Sequence, residues 1–344
     1  MSAETGWAGR VGWTAGAAIA VVTPFVISDY DLLDLTRVLT IAMAVAGLNL
    51  LLGHSGQISV GHGAIFGLGG YSALIPVATY GWPWWAGVLL AGVLCLAFGL
   101  LLGIPALRMG GANLGLLTIA VAAIFPLLLI RLKALTGGTF GVFLAGSPIK
   151  PPPWTGLTTA QFGFLVCLAF LGVTLLVLRN LVAGRIGRAL AAVRTSPLLA
   201  TANGVDVNRT RLMAFAVSST VAGTGGALSA LVLAIAVPDS YLLDFSITLL
   251  AASVVGGSRT WAGSVIGAAV VVYLATFTDS VVGGEAAGNW SQLLYALALV
   301  VSLTVAPTGL AGAAVRVARR LADRATGEPQ PATPRPERIL NEQS

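Results

Sequence analysis

The chain has 344 residues, of which 56% are hydrophobic and 9% charged, and its formal net charge is +6. Ordinary soluble domains carry about 25% charged residues, so this composition excludes a soluble protein and predicts a polytopic membrane protein. The excess of basic residues does not indicate nucleic-acid binding. These residues lie in short loops and near the C-terminus, where they face membrane lipids and protein partners.

Ten apolar runs along the chain are candidate membrane spans. In chain order they are 11–28, 37–52, 60–79, 85–106, 113–131, 161–179, 212–236, 246–257, 262–278 and 290–307. A membrane helix needs about 20 apolar residues, so several of these runs, above all 246–257, are short. The sequence therefore predicts an all-α fold with about ten transmembrane helices, including short or broken ones, in a membrane domain at 11–315.

The distribution of arginine determines the predicted orientation of the helices. The connector 179–211 contains six arginines and one acid, and the C-terminal segment 316–344 begins with a basic cluster. The positive-inside rule places both in the cytoplasm, together with the N-terminal segment 1–10. This orientation requires an even number of crossings, so 246–257 is counted as one of them. The rest of the C-terminal segment is polar and proline-rich, which predicts disorder.

A polar, glycine-rich segment at 53–63 interrupts the apolar stretch 47–78 and contains both histidines of the chain, His54 and His62. Lipid leaves backbone polar groups unsatisfied, so such a break is tolerated only against protein or a water-filled path. A second break, at 256–260, also follows a short apolar run after an acidic loop. A run of about a dozen residues is too short for the ~30 Å hydrocarbon core, so we expect both breaks at membrane depth. Solute sites of transporters often lie at such breaks.

Eight polar or basic residues at the two breaks are candidates for a solute path. They either line the path or brace the broken helices with hydrogen bonds, and the sequence leaves both interpretations open. For the histidines, bracing is favoured over proton transfer. The candidates are Asn49, His54, Ser55, Gln57, Ser59 and His62 at the first break, and Ser258 and Arg259 at the second.

Several chemical motifs are absent from the sequence. It has no G-x-x-x-x-G-K-[ST] phosphate-binding loop, no spacing typical of metal ligands, and no set of residues that suggests nucleophilic catalysis. We therefore expect no catalytic residues, no metal and no cofactor. The candidate spans also lack the acidic residue with which ion-coupled carriers usually bind a coupling ion. Any energy for pumping is therefore expected from another subunit.

The segment 184–204 is unusual for a loop between membrane spans. It is moderately apolar and compatible with a helix on both sides of Pro197, and Gly204 is suited to end that helix. An amphipathic helix at this position either docks into a groove of a cytosolic partner or rests on lipid headgroups. The residues alone do not decide between these two roles.

Four blocks of sequence resemble the LivM branch of the permeases of branched-chain amino-acid ABC importers. Together they extend over residues 36–306, the whole membrane domain. The blocks are 47–78; LTGGTFG at 135–141; the connector with NGVDV at 203–207, RLMAFAVS at 211–218 and AGTGGAL at 222–228; and VVGGSRTWAG at 254–263.

This resemblance implies a set of partners at the bacterial inner membrane. They are a sister permease that forms a heterodimer around a shared pore, two cytosolic P-loop ATPases, and an extracytoplasmic solute-binding protein. The ATPases would bind the connector 180–211, at Arg188, Arg194, Pro197 and Gly204. Family members often carry acidic residues around Pro197, where this chain has serine and threonine. Packing and the two arginines are therefore expected to carry more of the contact.

The resemblance also implies a function. The chain would be a permease subunit, not an enzyme, that translocates branched-chain or other hydrophobic amino acids with energy from separate ATPases. The alternatives are a permease for urea or another small amide or organic solute, a stand-alone channel or facilitator, and a membrane scaffold. In such systems the binding protein selects much of the cargo, so this sequence does not identify the solute.

Overall fold

The computed structural model describes residues 20–109 and 113–281, together with Trp290, Leu293, Leu294 and Leu297. Over this range the chain is almost entirely helical, as predicted. The helices are α1 (Asp29–Asn49), α2 (His62–Tyr80), α3 (Trp84–Met109), α4 (Asn113–Arg131), α5 (Lys133–Thr136), α6 (Thr159–Ala183), α7 (Arg185–Thr195), α8 (Pro197–Ala202), α9 (Val207–Leu233), α10 (Leu243–Gly256) and α11 (Trp261–Val281). Two short strands, β1 (Val142–Phe143) and β2 (Ile235–Ala236), pair antiparallel, with Val142 opposite Ala236.

Seven helical segments of the described residues are long and apolar enough to cross a membrane, and α10 is a shorter apolar helix. The helices that match the predicted runs from 60–79 to 262–278 differ from them by a few residues at each end. With 14 residues, α10 is only about 21 Å long, so the prediction of a short helix there is confirmed. Half of the predicted run 11–28 and most of the run 290–307 lie outside the described residues; within 20–28 the chain forms the short 3-10 helix Thr23–Phe25.

The first described span is longer than its predicted run, 37–52. The helix begins at Asp29 because the Ser28 hydroxyl caps it, accepting a hydrogen bond from the Asp31 backbone N–H at 3.3 Å. Acidic residues in the first turn also interact favourably with the helix dipole. The helix continues through a π-helical segment, Leu50–Ser55, and the whole span has 27 residues, about 40 Å. The expectation of an acidic loop followed by a short run is therefore wrong for this segment.

Helix α9 lies at the centre of the bundle and packs against α1, α2 and α3. Small residues allow the backbones to touch. A Cβ on Gly226 would lie 1.9 Å from the Phe66 carbonyl oxygen, and one on Gly69 would lie 2.0 Å from that of Gly223. Close contact of this kind is the usual way in which membrane helices associate, and it holds α2 in a fixed position along α9.

The two ends of the bundle differ in charge. At one end, the Thr158 hydroxyl donates to the carboxylate of Asp29 at 3.1 Å, which joins the N-termini of α6 and α1. At the other end lies the arginine-rich connector. It forms α7 and α8 on either side of Ser196, and Gly204 then adopts a left-handed conformation with φ +78°. The predicted helices on both sides of Pro197 are thus confirmed.

Candidate functional site

The first break, 53–63, overlaps the end of the π-helical segment Leu50–Ser55. Gly56 has a left-handed conformation, φ +72°, which favours glycine, and the Leu51 carbonyl accepts a hydrogen bond from the Gln57 backbone N–H at 3.0 Å. Residues 56–61 are irregular, and α2 starts at His62. The helix therefore stops, turns and restarts within a few residues.

Contacts with α9 give the depth of this break. The Gln57 amide donates to the Arg211 carbonyl at 3.4 Å, whereas the His62 imidazole lies 2.7 Å from the Ser218 hydroxyl. Arg211 and Ser218 are about 10 Å apart along a helix axis, so the chain climbs by roughly that distance before α2 begins. The N-terminus of α2 therefore lies beside the interior of α9. The sequence predicts this depth from a short first helix, but the first helix is long, and the climb of the chain through the break accounts for the depth instead.

His62 is a fully buried bracing residue. The Ser218 hydroxyl donates to the Gly47 carbonyl at 2.6 Å, so His62 Nε2 donates to that hydroxyl. His62 Nδ1 then accepts a hydrogen bond from the Ser59 hydroxyl at 3.0 Å. Both ring nitrogens therefore have partners, Ser59 within the break and Ser218 on α9, and the ring has no solvent exposure. This arrangement suits a neutral imidazole that ties α1, the break and α9 together.

Helix α10 is fastened to the first break at two points. The Ser253 hydroxyl donates to the Asn49 amide oxygen at 2.5 Å, and the Gly63 backbone N–H donates to the Ser246 hydroxyl at 3.0 Å. Asn49 is only 1% exposed, and its amide nitrogen has no hydrogen-bond partner among the described residues. One buried donor is therefore left available beside the short helix.

Ser55, Gln57 and Val60 of the first break also have defined hydrogen-bond partners. The Gln57 amide donates to the Ser55 hydroxyl, and the Val60 backbone N–H donates to the Thr118 hydroxyl at 3.1 Å. Ser55 and Gln57 are buried. These contacts support the bracing interpretation for both side chains.

The second break is in contact with the first. Gly257 has φ +109°, and the chain turns through Ser258 and Arg259 before α11 begins. A Cβ on Gly53 would lie only 1.8 Å from the Ser258 carbonyl oxygen, so the two backbones touch. The His54 ring stacks on Trp261 with a centroid distance of 5.2 Å and an interplanar angle of 23°. The eight predicted residues are therefore brought into one region, which joins the two breaks.

The connector reaches this region through Arg194. Its guanidinium donates to the Gly53 carbonyl, although much of the side chain is exposed. Partial burial and the positive charge of Arg259 lower the pKa of Arg194. Arg194 thus contacts the break itself, whereas the sequence assigned it to a surface for a partner.

The other predicted connector residues, Arg188, Pro197 and Gly204, are exposed. Beside them, Leu198 and Leu199 are 81% and 64% exposed on α8. Neither these leucines nor the partners of the predicted residues were predicted from the sequence; those partners are Ser218, Ser246, Ser253, Thr118 and Trp261. The sequence contains only weak signals for these positions, namely hydroxyl residues within apolar spans and two leucines directly after a proline.

Comparisons with known proteins agree with this architecture. The family described as branched-chain amino acid transport system / permease component matches residues 33–303. The chain is 28% identical over 279 residues to the high-affinity branched-chain amino acid transport system permease protein LivM of Salmonella typhimurium. It is 29% identical over 281 residues to the protein of the same name of Escherichia coli. Each match covers 74% of this chain and 65% of the relative, so the chain spans less than two thirds of the length of these relatives.

A third relative is the probable branched-chain amino acid transport permease protein LivH of Methanocaldococcus jannaschii. It is 26% identical over 248 residues, which cover 64% of this chain and 77% of the relative. No solved structure matches the chain significantly. Since the family match covers most of the chain, including all the helices that form the joined breaks, the chain is a multi-pass membrane protein that belongs to the family of branched-chain amino acid transport permease components.

Proposed function

We propose that the chain is the membrane subunit of an ATP-driven importer of branched-chain or other hydrophobic amino acids. The observation that carries this proposal is the pair of touching breaks, of which the first contacts both α9 and the connector. Broken helices at membrane depth offer backbone groups to a solute. The relatives, which are named as branched-chain amino acid transport permeases, supply the solute class.

The contacts divide the candidate residues into two roles. His62, Ser59 and Gln57 have hydrogen-bond partners that brace the first break. In contrast, Asn49 Nδ2 and His54 Nε2 are buried without a partner in the part of the chain that the structure describes. We therefore propose that Asn49 and His54 line the solute path, because a buried polar atom without a partner is costly unless something binds it.

The energy source and the partners are part of the proposal. The exposed leucines on α8 and the exposed Arg188 on α7 offer apolar and basic groups of the connector to a cytosolic P-loop ATPase. A sister permease would complete the pore, as a heterodimer, and an extracytoplasmic binding protein would deliver the solute. The bundle would lie in a bacterial inner membrane with the arginine-rich end and both termini in the cytoplasm.

Uptake of radiolabelled leucine tests the path. The chain is purified with its associated subunits, reconstituted in liposomes, and compared with Asn49→Ala and His54→Ala. We expect both variants to assemble and to lose most ATP-driven uptake. As a control, Thr248→Ala on α10 removes an exposed hydroxyl that only bonds its own helix and should transport normally. Normal uptake by both path variants would refute the proposed path, and uptake of urea instead of leucine would refute the solute class.

A further inference from the structure

We propose that Arg194 is a positioning residue that couples the connector to both breaks by capping the C-terminal end of the first broken helix. This inference rests on the proposed function, because it concerns how force from an ATPase reaches the path. It assigns to Arg194 a role inside the permease in place of a contact with the partner.

The Gly53 carbonyl needs a partner from outside its own helix. The last carbonyls of a helix have no intrahelical donor, and the next available backbone N–H, that of Gln57, bonds to Leu51 instead. Arg194 donates to the Gly53 carbonyl from another helix, 141 residues further along the chain. A cation at a helix C-terminus is also favoured by the helix dipole. The cap of the first break is therefore supplied by the connector.

The stem of Arg194 packs against the same segment. A Cβ on Gly56 would lie 3.0 Å from Arg194 Cγ and 3.8 Å from its Cα, so the α7 backbone itself lies next to the break. On the other side of the break, Gly53 touches the Ser258 carbonyl. The connector, the first break and the second break thus form one continuous stack, and α7 cannot shift without displacing at least one of the breaks.

The position of Arg194 suits it to receive a force. Ser196, two residues further on, has an extended conformation, φ −156°, and the exposed helix α8 begins directly after it. The buried residues Leu190 and Val193 hold the inner face of α7. A partner that pushes on the exposed leucines of α8 would therefore move the C-terminal end of α7, where Arg194 lies.

The test compares transport with ATP hydrolysis in the reconstituted complex. The variants are Arg194→Gln and Arg194→Lys, and the control is Arg185→Gln, which removes an exposed arginine from the first turn of the same helix. We expect Arg194→Gln to co-purify with the ATPase, and we expect this complex to hydrolyse ATP. Leucine uptake per ATP should fall by about ten-fold or more, because the variant loses a hydrogen bond from a charged group. Arg194→Lys keeps the charge but not the planar guanidinium, so its uptake per ATP should be intermediate.

Three outcomes would overturn the inference. One is unchanged uptake per ATP in Arg194→Gln; another is loss of the ATPase from that variant, which would make Arg194 part of the docking surface. The third is a similar loss of coupling in Arg185→Gln. If Arg194→Gln does not yield a folded complex, Arg194→Lys carries the test, and wild-type coupling in it would refute a role for the guanidinium. A wild-type chain that binds no ATPase would instead refute the proposed function, so the two failures are distinguishable.

Discussion

Substitution of Gly53 by alanine would force the two breaks apart. The added Cβ would lie 1.8 Å from the Ser258 carbonyl oxygen and 2.7 Å from its carbon, whereas ordinary van der Waals contact begins at 3.4 Å. Both partners are backbone atoms, so no side chain can rotate away. The difference between 1.8 and 3.4 Å means that the two segments must separate by about 1.6 Å.

The expected cost follows from this displacement. Inserting a methyl group into a well-packed region costs about 1–3 kcal/mol, which changes a conformational equilibrium by a factor of about 5–150. We therefore expect Gly53→Ala to lower the melting temperature of the detergent-solubilised protein and to reduce leucine uptake by about the same factor. Tryptophan fluorescence would follow the unfolding, because Trp261 stacks on His54 at this contact.

A matched control separates this effect from the general effect of alanine in a membrane helix. A Cβ on Gly172 of α6 would meet nothing within 4 Å, so Gly172→Ala should leave both the melting temperature and uptake unchanged. Wild-type melting and wild-type uptake in Gly53→Ala would refute the close approach of the two breaks.

Three further substitutions test separate contacts. His62→Phe removes the acceptor of the buried Ser59 hydroxyl and the N–H that donates to the buried Ser218 hydroxyl, and should cost about 1–3 kcal/mol of stability. His54→Phe keeps an aromatic ring on Trp261, so an equal fall in its melting temperature would contradict the bracing role of His62. Ser253→Ala removes a hydrogen bond to a buried amide and should lower the melting temperature more than Thr248→Ala on the same helix; equal effects would speak against that bond. Leu198→Asp, at an exposed position, should abolish co-purification of the ATPase without lowering the melting temperature, and retention of the ATPase would exclude α8 as the docking surface.

The helices and the two breaks could be predicted from the sequence, because apolar length and glycine-polar interruptions are local signals. The start of α1 was missed for a definable reason. Charged residues such as Asp29 and Asp31 suggest a loop before the apolar run, although Ser28 followed three residues later by an acid is itself a signal for a helix N-terminus.

The contacts that make the breaks into one site could not be predicted. Gly53 and Ser258 are far apart in sequence, and nothing in either segment indicates that they touch. The direction in which the Arg194 side chain points likewise depends on tertiary packing. Helical periodicity gives the faces of α7, but only the packing of α7 against the first break turns that guanidinium toward Gly53.

ATP-dependent accumulation of leucine tests the central claim most directly. The purified complex is reconstituted in liposomes and assayed with and without ATP, with the intact chain and with the connector 184–204 deleted. We predict accumulation against a gradient only with ATP and only with the intact connector, together with loss of the ATPase from the deletion variant. Leucine flux down its gradient that continues without ATP and without the connector would contradict an ATPase-driven path and would identify a facilitator instead.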